Sequence, residues 1–220
     1  MKDTDHLKSH DEFASTYDSQ VKEYNSYSNE VLFGMCFEYI EPGESLLDLG
    51  LGTGLSSVHF ARFGLEVTGL DGSEAMLNEC RKKSFAKELK RHNIQQVPLP
   101  YLDRTFSHII CCGVFHFFGN LLLIIKDSFR ILQPGGIFAF TFAAQTAKEK
   151  ESFSENLPDY IETPSAWGIS IFKHSDEYIH SIAEELGLTI LKEQKVLIDS
   201  GDNDTEDILF KVIVMQKNVS

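Results

Sequence analysis

The chain has 220 residues, 42% of them hydrophobic, enough for one full core without disulfide or metal staples. Its formal net charge is −13 and its pI is near 5.0. That balance argues against nucleic acid or an anionic membrane as partner, because both need clustered cations and the longest basic run is Arg81-Lys82-Lys83.

Residues 1–12 are polar and read as a flexible tail, and no apolar signal-peptide core follows Met1. The uncharged run from His108 to Ile125 is broken by two histidines, Gly113, Gly119 and Asn120, so it reads as strand, loop and helix start rather than a membrane span. Cys36, Cys80, Cys111 and Cys112 form no C-x-x-C pair and read as small apolar side chains in a reducing compartment. A cytoplasmic protein without a metal site is expected.

Residues 13–220 read as a single domain, opening with a helical lid over 13–42 that includes a helix around Asn29 to Ile40. Ser45-Leu46-Leu47-Asp48-Leu49 is a short apolar run of the buried parallel-strand kind. Glycines follow, then a helix from Leu55 to Phe63 closed by Gly64. Glu66 to Leu70 is a second strand, and Ser73 can N-cap a helix running toward Arg91. A weak strand is expected at Asn93 to Gln96 and a strong one at His108 to Cys112, where Cys111 and Cys112 would point to opposite faces. A helix over Asn120 to Leu132 stops at Pro134-Gly135-Gly136, and Ile137 to Ala143 is another strand. The mixed polar segment 144–167, with Pro158, Pro164 and Trp167, reads as an insertion that lines a pocket or anchors a lid. A helix over Asp176 to Leu186 ends at Gly187, with Ser175 as its cap and His174 as a neighbour of that cap. The runs Leu188 to Ile198 and Asp207 to Met215, joined by the polar turn Asp199 to Asp204, can pair only antiparallel. The fold expected is α/β, a doubly wound, mostly parallel seven-stranded sheet with an antiparallel C-terminal hairpin.

The strongest local signal is Leu47-Asp48-Leu49-Gly50-Leu51-Gly52-Thr53-Gly54, with glycines at alternate positions between a strand and a helix. Without Cβ atoms the backbone can turn sharply and approach a ligand, and the first-turn N–H groups of the helix then face the crevice at the strand ends. Asp48 can accept loop amides or face an ammonium group. Asp71, closing the second strand, can accept both hydroxyls of a ribose. These features also suit a nicotinamide dinucleotide, although that fingerprint, G-x-G-x-x-G, would place the third glycine one residue later than Gly54.

The pattern D-x-G-x-G-x-G with an acid ending the next strand resembles the class I S-adenosylmethionine-dependent methyltransferases, in their small-molecule, ubiquinone-biosynthesis-like branch. Further motifs follow in order. Leu99 to Ser107 is similar to the family's L-P-F-x-x-x-x-F-D segment, Val114 to Phe118 to its L-H-H stretch, and Arg130 to Gly136 to its R-x-L-K-P-G-G. Phe13 to Asp18 is similar to its F-x-x-x-A-x-x-Y-D lead-in. The resemblance covers about residues 13 to 143 and implies a Rossmann-like methyltransferase domain.

It further implies that S-adenosylmethionine is the cofactor and S-adenosylhomocysteine the product. Asp48, Gly50, Gly52 and Gly54 would serve the methionine part and Asp71 the ribose. Gly72, Ser73 and Met76 would line the adenine, with Cys112 also at the cofactor. Counting back from Leu99-Pro100, the pair that touches the adenine amine falls on Gln95-Gln96, where the family has an acid and a small residue; Ser107 likewise replaces the family's Asp.

The implied reaction is in-line methyl transfer to a small-molecule acceptor by a monomer or homodimer. His116 is either a general base or a packed helix-start residue. Tyr17 and Tyr24 either close over the substrate or pack on the core. The other readings left open are a non-catalytic S-adenosylmethionine-binding or interaction module and an NAD(P)-binding oxidoreductase.

Overall fold

Apolar strands alternating with amphipathic helices can bury both faces of a sheet only if helices cover it on each side. The computed structural model, which describes residues 11, 13–23, 26–153, 157–164, 170–198 and 208–219, has this arrangement. The rest of the expected tail, Tyr24, Trp167 and the turn Asp199 to Asp204 lie outside the described residues.

Strands β1 (Ser45–Leu49), β2 (Glu66–Asp71), β3 (Glu88–Arg91), β4 (His108–Cys111) and β5 (Ile137–Ala144) pair in parallel in the order β3-β2-β1-β4-β5. Near the end of β5 an antiparallel hairpin, β6 (Tyr160–Pro164) and β7 (Ser170–His174), joins through β7 at Ala143 and Ala144. On its other edge β5 meets β9 (Ile208–Lys217) antiparallel, and β9 pairs antiparallel with β8 (Leu188–Ile198). Six of the seven expected strands are present where they were expected, with the reversed pair at the C-terminus. The β6–β7 hairpin adds two strands that the alternation of apolar runs did not announce.

One expected element is displaced. The helix begun at Ser73 stops at Lys83, because Ser84 adopts φ 54 and turns its N–H back to Arg81 O. The third strand is therefore β3 at Glu88–Arg91, and residues 93–96 form a turn. With Leu89 as its one apolar residue, this exposed edge strand carries no period-two signal.

Seven helices accompany the strands among the described residues: α1 (Tyr17–Glu23), α2 (Ser28–Cys36), α3 (Ser57–Phe63), α4 (Glu74–Lys83), α5 (Leu122–Ile131), α6 (Ala147–Glu151) and α7 (Asp176–Leu186). Side chains alternate across the sheet and divide the core in two. Leu47, Leu49, Ile109, Cys111, Phe138, Phe140 and Phe142 pack with Ile125 of α5 and Ile179 of α7. Leu46, Val67, Ile110, Ala139 and Val214 pack with Leu32 of α2, Phe60 of α3 and Leu77 of α4, and Cys112 borders this second layer. Cys111 and Cys112 thus face opposite sides. Among the described residues no helix is long and apolar enough to cross a membrane.

Before β5 the chain is fixed by a close approach at Gly136, where a Cβ would lie 2.1 Å from Ser107 O and 3.0 Å from Gln133 O. Both neighbours are backbone. Gly136→Ala should therefore lose roughly 1–3 kcal/mol or more in urea denaturation. Gly34→Ala, inside α2 where a Cβ meets nothing within 4 Å, should gain about 0.5–1 kcal/mol.

Candidate functional site

The C-terminal ends of β1, β2, β4 and β5 open into a cavity of about 630 Å³, inside the range of roughly 300–1,000 Å³ typical of small-molecule sites. Gly50, Gly52, Asp71, Gly72, Met76, Cys112, Tyr17 and His116 all line it. Asp48, Gly54, Ser73, Gln95 and Gln96 are not among its lining residues, and Tyr24 lies outside the described residues.

The glycine loop is closed by its own hydrogen bonds. Gly50 and Leu51 N–H donate to Leu70 O at 2.8 and 3.0 Å, and Gly54 N–H donates to Leu51 O at 2.9 Å. Gly52 N–H donates to Asp71 Oδ2 at 2.8 Å. These amides are engaged by protein acceptors, where the sequence suggested bare ones. The three glycines also differ in purpose. At Gly52, with φ +58, a Cβ would meet only Gly50 O at 4.0 Å, so this position is the open approach to the cavity. At Gly50 a Cβ would strike Val114 at 2.6 Å, and at Gly54 it would strike Phe85 at 2.5 Å and Cys80 at 2.9 Å. Gly54 is a packing glycine between the loop and α4.

Asp48 sits behind the loop, 1% exposed, where the Ser57 hydroxyl donates to its Oδ2. Its Oδ1 is buried with no hydrogen-bond partner among the described residues. Burial pushes this carboxyl up to about 7, the Ser57 hydrogen bond opposes the rise, and the Asp71 charge adds to it.

At the end of β2, Asp71 accepts from Gly52 N–H and, through Oδ1, from Ser73 N–H at 2.8 Å. Ser73 serves as a cap: its Oγ accepts from Met76 N–H at 3.1 Å and donates to Asp11 Oδ1 at 2.5 Å. Beyond β3 the residues that reach the cavity are Asn93 and Ile94. Gln95 and Gln96, expected there, instead form the following turn: Gln95 N–H donates to Asn93 Oδ1 and Gln96 N–H to Asn93 O. The count back from Leu99 was two residues too short, because the strand itself begins earlier than expected.

The N-terminal segment is tied across the loop. Asp18 accepts from the Thr53 hydroxyl at 2.5 Å and from Lys83 Nζ at 2.6 Å. This places Tyr17 on the cavity wall, where burial raises its phenol and Cys112, Asp71 and Asp18 add to the rise. Asn29 at the start of α2 accepts from Ser56 Oγ at 2.6 Å and from Cys112 Sγ at 3.4 Å. Burial pushes the Cys112 thiol up to about 12, so it stays protonated. Thr53, Asn29, Ser28, Asn93 and Thr141 are wall residues that sequence reading missed; the only local signal was the polar cluster Ser26 to Asn29.

After β4, Gly113 N–H donates to Thr141 Oγ1 at 2.7 Å, joining the ends of β4 and β5. His116, in a short 3-10 turn (Phe115–Phe117), is 6% exposed and packs on Phe117 and Phe210, with ring centroids 4.0 and 5.1 Å away. The segment that follows is held by His174, whose Nε2 lies 3.0 Å from both Phe118 O and Gly119 O. Burial lowers the His174 pKa to about 4, so the neutral ring donates its Nε2–H there and stacks on Tyr178. Ser175 beside it caps α7 by accepting from Tyr178 N–H, as expected.

Residues 47–140 match the profile of the methyltransferase domain family. The chain is 36% identical over 123 residues to a malonyl-(acyl-carrier protein) O-methyltransferase of Serratia marcescens, covering 54% of this chain and 46% of that protein. It is 33% identical over 97 residues to a demethylmenaquinone methyltransferase of Tropheryma whipplei, covering 44% and 41%. It therefore spans less than half the length of these curated relatives. A crystal structure of an S-adenosylmethionine-dependent methyltransferase from Methanosarcina mazei superposes with TM-score 0.68 at 17% identity, covering 84% of this chain and 98% of that one. The (4+2)-cyclase SpnF superposes with TM-score 0.67 at 16% identity, covering 87% and 81%. Likeness at that level shows a shared fold, and the fold hosts more than one chemistry.

The buried carboxyl of Asp48 makes a pH-dependent prediction. An unfolded aspartate ionises near ~3.9, whereas here the proton stays on until about 7. Between those values the folded chain binds more protons, so Asp48 subtracts stability as pH rises, fully above about 7. Asp48→Asn should raise Tm more near about pH 8 than near about pH 5, read by calorimetry at both. An equal shift at the two pH values would contradict the raised pKa.

Proposed function

We propose that this chain carries a class I S-adenosylmethionine-dependent methyltransferase domain and moves the methyl group of that cofactor onto a small-molecule acceptor. The observation that carries the reading is the hydrogen bond from Gly52 N–H to Asp71, which brings the open glycine and the β2 carboxylate to one rim of the cavity. The site fits the cofactor's chemistry. Asp48 Oδ1 is a buried carboxyl oxygen behind the loop that lacks a partner among the described residues, and Gly52 leaves space a Cβ would fill. Asp71 stands at the rim of the cavity as a carboxylate, the acceptor type that ribose hydroxyls need. Gly72 and Met76 flank the nucleoside side, Asn93 offers an amide to the base, and Cys112 closes the floor. In this assignment Gly50, Gly54 and Ser73 shape the loop and helix, and Gln95 and Gln96 make no contact.

When bound, S-adenosylmethionine supplies an electrophilic methyl group on a positively charged sulfur. The residues of this chain have then to hold the acceptor in line and keep water out, which placement alone can reward with about 7–11 kcal/mol. Because charge is lost rather than created at sulfur, no strong new charge needs stabilising. A base is needed only for a hydroxyl or protonated amine acceptor, and His116, on the cavity wall, is the candidate for that proton. Demethylmenaquinone, printed in one relative's name, is a small-molecule acceptor of the kind this reading admits. The same reading holds the protein to be cytoplasmic, a monomer or homodimer, with neither nucleic acid nor membrane as partner.

Calorimetry tests the site. Asp71→Ala and Gly52→Val should each weaken S-adenosylhomocysteine binding by ~1–3 kcal/mol or more, through lost hydrogen bonds or a blocked approach. Unchanged affinity in both variants, or uptake of NADH in place of the nucleoside, would remove the assignment. Transfer of labelled methyl onto a metabolite pool separates an enzyme from a binding module.

A further inference from the structure

The sheet order divides the cavity. The loops after β2 and β1 carry Gly52, Asp71 and Met76 at one end. The loop after β4, the start of β9 and the end of β8 carry Val114, Phe117, Phe118, Phe210 and Ile198 at the other. If the first end holds the cofactor, as proposed above, the second receives the acceptor. Its wall is apolar, and among the described lining residues the charged side chains are Glu23 and Asp71, both acidic; no Lys or Arg is present. The other polar lining side chains are hydroxyls, amides, the Cys112 thiol and the His116 imidazole. Ser28, 5% exposed, is one of the lining residues, and its Oγ is buried with no hydrogen-bond partner among the described residues. By sequence, the stretch from Asp199 to Asp207 that joins β8 to β9 holds four Asp, one Glu and no Lys or Arg. Outside the described residues, Lys2 and Lys8 are the only lysines or arginines.

An anion entering such a chamber would lose its hydration and meet no lysine or arginine among the described lining residues, while two carboxylates repel it. We propose that the acceptor is an uncharged, largely apolar molecule and that carboxylate and phosphate acceptors are rejected. The specificity lies in the missing cation as much as in the aromatic wall.

Two dyes of one skeleton test this: neutral N-phenylnaphthylamine and its sulfonate, anilinonaphthalene sulfonate. They are titrated by fluorescence into the protein saturated with S-adenosylhomocysteine. Roughly 0.3 M salt is used, so that the Debye length falls below ~8 Å and the overall charge of the chain is screened. The neutral dye should bind about tenfold more tightly or better, reflecting the unpaired charge of its partner. Gln20→Lys, which places a cation on the wall, should raise sulfonate affinity by about fivefold or more and leave the neutral dye within about twofold. Equal or tighter binding of the sulfonate overturns the proposal, as does failure of both dyes to bind or a Gln20→Lys variant that alters neither. Loss of S-adenosylhomocysteine binding in calorimetry, with the neutral-dye preference intact, would sink the cofactor reading alone.

Discussion

The carboxylate of Asp71 is the fixed point of this structure. It closes β2, takes the N–H of Gly52 from the neighbouring loop, and takes the N–H of Ser73 at the start of α4. A charge-assisted hydrogen bond at a nearly dry strand end is stronger than a neutral one, and two of them hold loop and helix in a single register. Leu70 O, one residue earlier, accepts the Gly50 and Leu51 amides. The end of β2 thus shapes the whole glycine loop before any ligand is considered.

A second layer of contacts ties the N-terminal segment to this fixed point. Asp11 reaches Ser73, Asp18 reaches Thr53 and Lys83, and Asn29 reaches Ser56 and Cys112. The N-terminal segment is therefore anchored on the glycine loop and on α4 beside the cavity. The opposite rim is held by His174, whose neutral ring grips the Phe118 and Gly119 carbonyls from the β7 side. Burial keeps that ring uncharged, so the grip persists across the neutral pH range.

The two ends of the cavity follow different physical rules. Around Gly52 and Asp71 the wall is main chain and carboxylate, suited to a polar, partly cationic ligand. Around Phe117, Phe118 and Phe210 it is aromatic and carries no cation among the described residues. A positively charged sulfur at the junction would sit near acidic groups, and an apolar acceptor would meet it from the dry side. This arrangement favours placement and desolvation over acid–base chemistry as the source of rate.

The sequence alone determined the alternation of strand and helix, the parallel sheet with its reversed end, and the position of Asp48, Gly52 and Asp71. These features are written in local patterns: apolar runs, glycine spacing, and an acid closing a strand. It could not separate the three loop glycines, because the crowding of Gly54 by Phe85 and Cys80 and the openness of Gly52 depend on what packs there. It missed β3, an exposed edge strand with one apolar residue, and so misplaced the Asn93–Ile94 wall onto Gln95-Gln96. Only the tertiary structure decided that Ser28, Asn29 and Phe210 line the same cavity as Gly52, since residues far apart in the chain meet through strand order, which no local pattern encodes.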